Sequence, residues 1–187
     1  QLAEWIDSQP MFFVATAPSS VDGHVNVSPK GYDTFRVLGP TEVAYLDLTG
    51  SGAETIAHLR DNGRITVMFC SFADKPRILR IQGGGEPVFP GDAGFADLYA
   101  HFQPGPGVRA VIRIAVDRIA DSCGYGVPRM ALLGERPTMA EWAGRKGDDG
   151  IVTYQGDKNR VSIDGLPAID HPATASPPAP AAPTAPT

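Results

Sequence analysis

Two short stretches carry side chains suited to holding an anion. Ser28-Pro29-Lys30-Gly31 joins a hydroxyl donor to an ammonium, and Gly50-Ser51-Gly52-Ala53-Glu54-Thr55 sets hydroxyls and glycines at the start of a helical pattern. A phosphate is bound by this combination of point charge, hydroxyl donors and N-terminal backbone N–H groups, whose helix dipole favours negative charge. The second stretch also reads as a plain helix start, with Ser51 as N-cap and Glu54 completing a capping box, and the two roles can coexist. Asp47, at a strand end, either caps a turn or accepts a hydrogen bond from a ligand N–H. Arg80 and Gln82 share one face of a strand that points either to solvent or into a polar groove.

Other chemistries find less support. His24, His58, His101 and His171 show no metal-ligand spacing with one another or with Cys70 and Cys123, so no metal site is expected. Cys70 lies in an apolar strand pattern and reads as an inert core thiol; Cys123 lies in a glycine-rich turn, where a nearby cation would make it reactive. No Gly-x-Ser-x-Gly elbow, Walker loop or dinucleotide fingerprint occurs, which removes the common hydrolase and nucleotide-triphosphatase signatures.

The elements that must position these groups read mainly as β-structure. After a short helical pattern through Leu2, Trp5 and Ile6, strands are expected at Met11 to Thr16, Gly23 to Lys30, Thr41 to Leu48, Ile65 to Phe72, Arg77 to Gln82 and Val108 to Ile119. In Gly23 to Lys30, Val25 and Val27 alternate with His24, Asn26, Ser28 and Lys30, giving one apolar and one polar face. Helices are expected at Ala53 to Asp61, ended by Asn62-Gly63, and at Ala93 to His101. Six strands with two or three short helices imply a closed or partly closed antiparallel barrel, the alternative being an open α+β sheet. Beyond Asp121 the periodicity weakens, through a turn-rich Ser122 to Pro128, a short helix near Met139 to Ala143 and the segment Lys158 to Pro167. This reads as one domain over residues 1–171, with a core at 8–122 and a wrapping segment at 123–171. Residues 172–187 hold only Pro, Ala, Thr and Ser and are expected to form a disordered tail.

Composition sets the outer limits. The chain has 187 residues, 42% of them hydrophobic, enough for one domain with a real core. A net charge of -5 offers no dominant basic surface, so nucleic acid is not expected as a partner. No apolar run reaches the roughly 18 residues of a membrane span, and two cysteines do not make a secreted disulfide scaffold, so a cytoplasmic protein is expected. Gln1 in place of a methionine leaves room for a trimmed upstream segment.

Taken in order, Val27-Ser28-Pro29-Lys30-Gly31-Tyr32-Asp33, Tyr45-Leu46-Asp47-Leu48-Thr49-Gly50-Ser51-Gly52-Ala53-Glu54-Thr55, Asp61-Asn62-Gly63-Arg64-Ile65 and Arg77-Ile78-Leu79-Arg80-Ile81-Gln82-Gly83 resemble the pyridoxamine 5'-phosphate oxidase-related family. The resemblance covers roughly residues 8 to 122. It implies an FMN-binding split β-barrel of antiparallel Greek-key topology, a homodimer with FMN at the subunit interface, and flavin-dependent hydride transfer to or from a small-molecule substrate. By motif, Val27, Ser28, Pro29, Lys30 and Gly31 would line the flavin. Leu46 and Asp47 would meet its ring or ribityl chain, Ser51, Gly52 and Thr55 would lie near its phosphate, and Lys30 and Arg80 would contact the phosphate or the ring edge. Two departures bear on the substrate and on affinity. The oxidases follow the serine of the helix-start motif with a basic pair, where this chain has Gly52, Ala53 and Glu54. They also carry an Arg-x-His element that is absent from this chain, so pyridoxamine phosphate is not the expected substrate. The same fold would accommodate deazaflavin F420, or a non-catalytic role in storing or sensing flavin or haem, with His24 as the candidate axial ligand.

Overall fold

Residues 1–170 are described by the computed structural model, so the expected tail at 172–187 lies outside the described residues. Chain order is α1 (Leu2–Asp7), β1 (Phe12–Thr16), β2 (Asn26–Lys30), β3 (Phe35–Gly39), β4 (Glu42–Leu48), α2 (Glu54–Asn62), β5 (Arg64–Cys70), β6 (Ile78–Val88), α3 (Phe95–Tyr99), β7 (Val108–Ser122) and α4 (Thr138–Lys158). Among the described residues there are thus seven strands rather than six. The added one, β3, is a five-residue edge strand, Phe35-Arg36-Val37-Leu38-Gly39, too short to leave a clear periodic signal. No helix among them is long and apolar enough to cross a membrane.

All ladders are antiparallel, in the spatial order β2-β1-β5-β6-β7-β4-β3. Strands β5, β6 and β7 follow one another as neighbours, and β4, which precedes them in sequence, lies beside β7. The long connection through α2 that this requires makes a Greek key. The sheet curls until its two ends meet through side chains: the Phe12 ring on β1 lies 5.1 Å from Phe35 on β3 and 5.5 Å from Tyr45 on β4, and Phe35 lies 5.0 Å from Phe69 on β5. These edge-to-face contacts add about 0.5–1.5 kcal/mol each to the burial of the rings. No ladder joins β2 to β3 among the described residues, so the barrel is split along that seam.

Core and helix positions follow from pattern. Val43, Tyr45 and Asp47 point into the barrel with Val14, Val67, Leu79, Ile81 and Ile112, whereas Ala44 and Leu46 face a second cluster built on Phe95, Tyr99 and Phe102 of the α3 region. Being covered on both faces makes β4 read as a continuous apolar run. Helix α2 plugs one end of the barrel with Ile56, Ala57 and Leu59 and stops at Gly63, whose φ of 73° is the left-handed cap conformation that glycine adopts freely. The glycine triplet after Gln82 does not end its strand. Instead β6 runs on to Val88 through a bulge at Gln82/Gly83, where a Cβ on Gly83 would lie 2.0 Å from the Ala115 carbonyl oxygen.

Beyond β7, residues 123–137 form no regular element and leave Leu132 and Leu133 exposed. The short helix expected near Met139 to Ala143 extends to Lys158, bent at Gly147 into two arms joined by Trp142 packing edge-on to Tyr154 at 5.0 Å. Its four glycines hide it from periodicity, because the helix is held by contacts with the barrel rather than by propensity.

Candidate functional site

The polar face of β2 turns inward and its valines turn outward, reversing the usual arrangement for a half-buried strand. Val25 and Val27 are 70% and 60% exposed, while Asn26, Ser28 and Lys30 look into a cavity of about 430 Å³. Leu46 and Asp47 of β4, the Gly31 to Thr34 turn, the Gly50 to Thr55 segment and Met139 of α4 complete the walls. That volume lies within the usual range for small-molecule sites, roughly 300–1,000 Å³.

At the floor lies a fully buried carboxylate. Asp47 Oδ2 accepts from Arg109 Nε at 2.7 Å and Oδ1 from Lys30 Nζ at 3.1 Å, and Arg109 also donates through a terminal nitrogen to the Gly52 carbonyl at 2.8 Å. Burial pushes the Asp47 carboxyl up, but the charges of Arg109 and then Lys30, with their hydrogen bonds, outweigh it and hold the pKa below the ordinary carboxylate value. Asp47 is therefore ionised, and it fixes the Lys30 ammonium, which also lies 5.9 Å from the Tyr45 ring centroid. Burial and then the Asp47 charge push the Tyr45 phenol well up, keeping it neutral.

Arg109 reaches this position through a backbone irregularity. Asp47 pairs with Ala110 and Leu48 with Val108, which leaves Arg109 as the extra residue of a bulge that aims its side chain at Asp47. Arg109 is not among the site residues expected from sequence. Its signal was a single charge in the apolar opening of β7, Val108-Arg109-Ala110-Val111-Ile112.

The Gly50 to Thr55 segment is held from several sides. Gln155 Nε2 donates to Thr49 Oγ1 at 2.8 Å and Asn159 Nδ2 to the Gly50 carbonyl at 2.9 Å, so the second arm of α4 ties down the turn that enters α2. The capping box expected there is not formed. The helix begins at Glu54 with Ala53 at the N-cap and no side-chain cap, since Ser51 sits too far upstream on the exposed rim. Glu54 instead accepts the Ile163 backbone N–H at 3.1 Å. The first-turn N–H groups of α2 are thus left without a side-chain acceptor, next to Thr55, whose hydroxyl accepts from Asn26 Nδ2 at 3.1 Å. The donor set here suits a phosphate.

Of the residues singled out from sequence, Ser28, Pro29, Lys30, Gly31, Leu46, Asp47, Ser51, Gly52 and Thr55 line one cavity. Val27 and Arg80 do not. Val27 faces outward, and Arg80 lies on the outer face of the sheet, donating to Ser122 Oγ at 3.1 Å beside Gln82, which accepts from Arg118 at 2.8 Å. His24 is also outside the cavity: its Nδ1 lies 2.6 Å from Asp164 Oδ1 and its backbone N–H donates to Oδ2 at 2.8 Å. Hydrogen bonding to Asp164, followed by the charge of Asp164, raises the His24 pKa above its ordinary value. Cys70 is buried, with burial pushing its thiol up despite Arg80, and Cys123 is exposed.

A family model described as pyridoxamine 5'-phosphate oxidase matches residues 1–123. A curated relative, the pyridoxamine 5'-phosphate oxidase family protein ustO of Aspergillus flavus, is 41% identical over 187 residues, spanning 90% of this chain and 74% of that protein. Among solved structures, HupZ of Group A Streptococcus superposes with a TM-score of 0.50 at 22% identity, over 70% of this chain and 95% of that one. A second crystal structure of HupZ gives 0.50 at 24%, over 65% and 96%. At such identities the likeness is one of fold.

Proposed function

The chain belongs to the pyridoxamine 5'-phosphate oxidase family, and from that premise we propose that its cavity binds FMN and that the protein is a flavin-dependent oxidoreductase acting on a small molecule other than pyridoxamine phosphate. One observation carries this reading: the start of α2, with no side-chain cap, and the Lys30 ammonium open onto the same cavity. Ser51, Gly52, Thr55 and the first turn of α2 would hold the phosphate, and Ser28 to Gly31 with Leu46 and Asp47 would hold the ribityl chain and ring. Bound FMN supplies the reversible acceptance and delivery of a hydride.

The protein's own residues bind and orient. Asp47 holds Lys30 in place, and Arg109 holds Asp47 and the Gly52 carbonyl, bringing a guanidinium to a loop whose own sequence lacks a basic pair. Met139 of α4 covers one side of the cavity. With Glu54 and Asp47 offsetting Lys30 and Arg109, the cavity is close to neutral, which supports looser phosphate binding than a strongly basic pocket would give. The exposed Val25 and Val27 support a homodimer built across the outer face they share.

Flavin fluorescence quenching tests the reading. Lys30→Ala and Ser51→Ala should each weaken FMN binding by about 1–3 kcal/mol, the range for removing one partner of a charged hydrogen bond. FMN should also co-elute with a dimer on gel filtration. Unchanged affinity in both variants would overturn the placement of FMN in this cavity.

A further inference from the structure

A second, smaller hollow of about 180 Å³ adjoins the cavity and shares Leu46, Leu48 and Met139 with it. Its remaining walls come from the Tyr32 to Thr34 turn, from the Gln103 to Val108 loop and from Ala140 of α4. Apolar surface predominates because the polar groups of that turn are engaged elsewhere. The Tyr32 hydroxyl donates to the Arg136 carbonyl at 2.8 Å, the Asp33 carboxylate takes the Arg36 guanidinium at 2.6 and 2.7 Å, and the Thr34 hydroxyl donates to the Gly31 carbonyl at 2.7 Å. Nothing in this annex resembles the donor set of the main cavity.

We propose that the annex is the subsite for the apolar ring of the second reactant, a monocyclic aromatic compound whose polar end extends into the main cavity toward Lys30. The inference rests on the flavin reading and specifies the substrate class for it. Size fits one ring, since an apolar cavity of about 150 Å³ takes up benzene. Met139 stands where the two compartments meet, and a thioether packs favourably at the edge of an aromatic ring. Flavin belongs in the main cavity because its phosphate and ribityl hydroxyls need the donors found there, whereas the annex offers them few. Because Met139 and Ala140 come from α4, the part of the chain beyond the matched residues 1–123 shapes the ring site.

The test uses the full chain labelled with ¹³C-methyl methionine, with p-cresol as probe and methanol as the ringless control. The Met139 methyl signal, assigned with Met139→Leu, should shift saturably with p-cresol and not with methanol. Ala140→Phe fills the annex from an exposed position and should weaken p-cresol binding at least tenfold while FMN affinity stays within twofold. Gly105→Leu on the opposite wall, where a Cβ meets open space, does the same should the first variant fail to fold. A p-cresol shift no larger than that of methanol overturns the annex. A parallel fall in FMN affinity in the filled variants also overturns it, by putting the flavin ring there. Wild-type protein that fails to bind FMN yet saturates with p-cresol refutes the flavin reading and upholds the annex as a ring site.

Discussion

Replacing Arg109 by methionine keeps the length and packing of the side chain and removes its charge from a site where it has almost no contact with water. Asp47, fully buried, is left with Lys30 alone, at 3.1 Å. Breaking a buried ion pair by removing one partner costs about 3–5 kcal/mol, and the remaining Lys30 contact places this case near the low end, about 3 kcal/mol. For a domain of this size the melting temperature moves roughly 2–4 °C per kcal/mol, giving a fall of roughly 6–12 °C at pH 7. The pH dependence carries the mechanism. In the wild type the folded-state pKa of Asp47 is depressed, so its stabilising contribution is present above the unfolded value and lost as pH falls through the folded one. In Arg109→Met the largest opposing charge is gone and burial drives the carboxyl up. The gap between variant and wild type should therefore narrow as pH falls from 7 toward 4.5 and Asp47 takes up its proton. Adding Asp47→Asn to Arg109→Met should recover part of the loss at pH 7, because no buried charge then remains unpaired. Calorimetric melts of the three proteins across that range decide the matter. A fall of less than about 2 °C, or a double variant no more stable than the single one, would refute the account.

Two other outcomes are expected. Gly83→Ala should destabilise by about 1–3 kcal/mol, read as a lower urea midpoint, because its new Cβ meets backbone at the β6 bulge; an unchanged midpoint would mean that the bulge relaxes freely. The His24–Asp164 contact should be present in full below the ordinary imidazole value and lost as pH rises through the raised one; an NMR titration of His24 that does not shift down in Asp164→Asn would remove that pairing as the cause.

Much of the candidate cavity is legible in the sequence because its signals are local. Ser28 and Lys30 declare themselves by alternation along one strand, and Gly50 to Thr55 by its position ahead of Ile56 and Leu59 at helical spacing. What stayed hidden depends on contacts distant in sequence. Alternation separates the two faces of β2 but not which one is covered; the resemblance, not the alternation, implies Val27 at the flavin, and the strand turns it outward. The role of Arg109 depends on a bulge that leaves no periodic trace, and that of Asp47 on two partners 17 and 62 positions away. Gln155 and Asn159 act on Thr49 and Gly50 across more than a hundred residues, from a helix whose glycines mask it. Arg80 alternates as a groove residue would, yet the curl of the sheet places it outside.

The unlaced seam between β2 and β3 gives the barrel a door. Among the described residues every other junction between neighbouring strands is stitched by backbone hydrogen bonds, whereas here the aromatic rings and the Lys30–Asp47 ion pair do the closing. Because no ladder crosses the seam, widening it beside the Gly31 to Thr34 turn would cost ring contacts and one ion pair but no backbone hydrogen bond between strands. A molecule in the cavity would touch both sides of the gap, Ser28 and Lys30 on one and Leu46 and Asp47 on the other, and so would act as a latch on the seam.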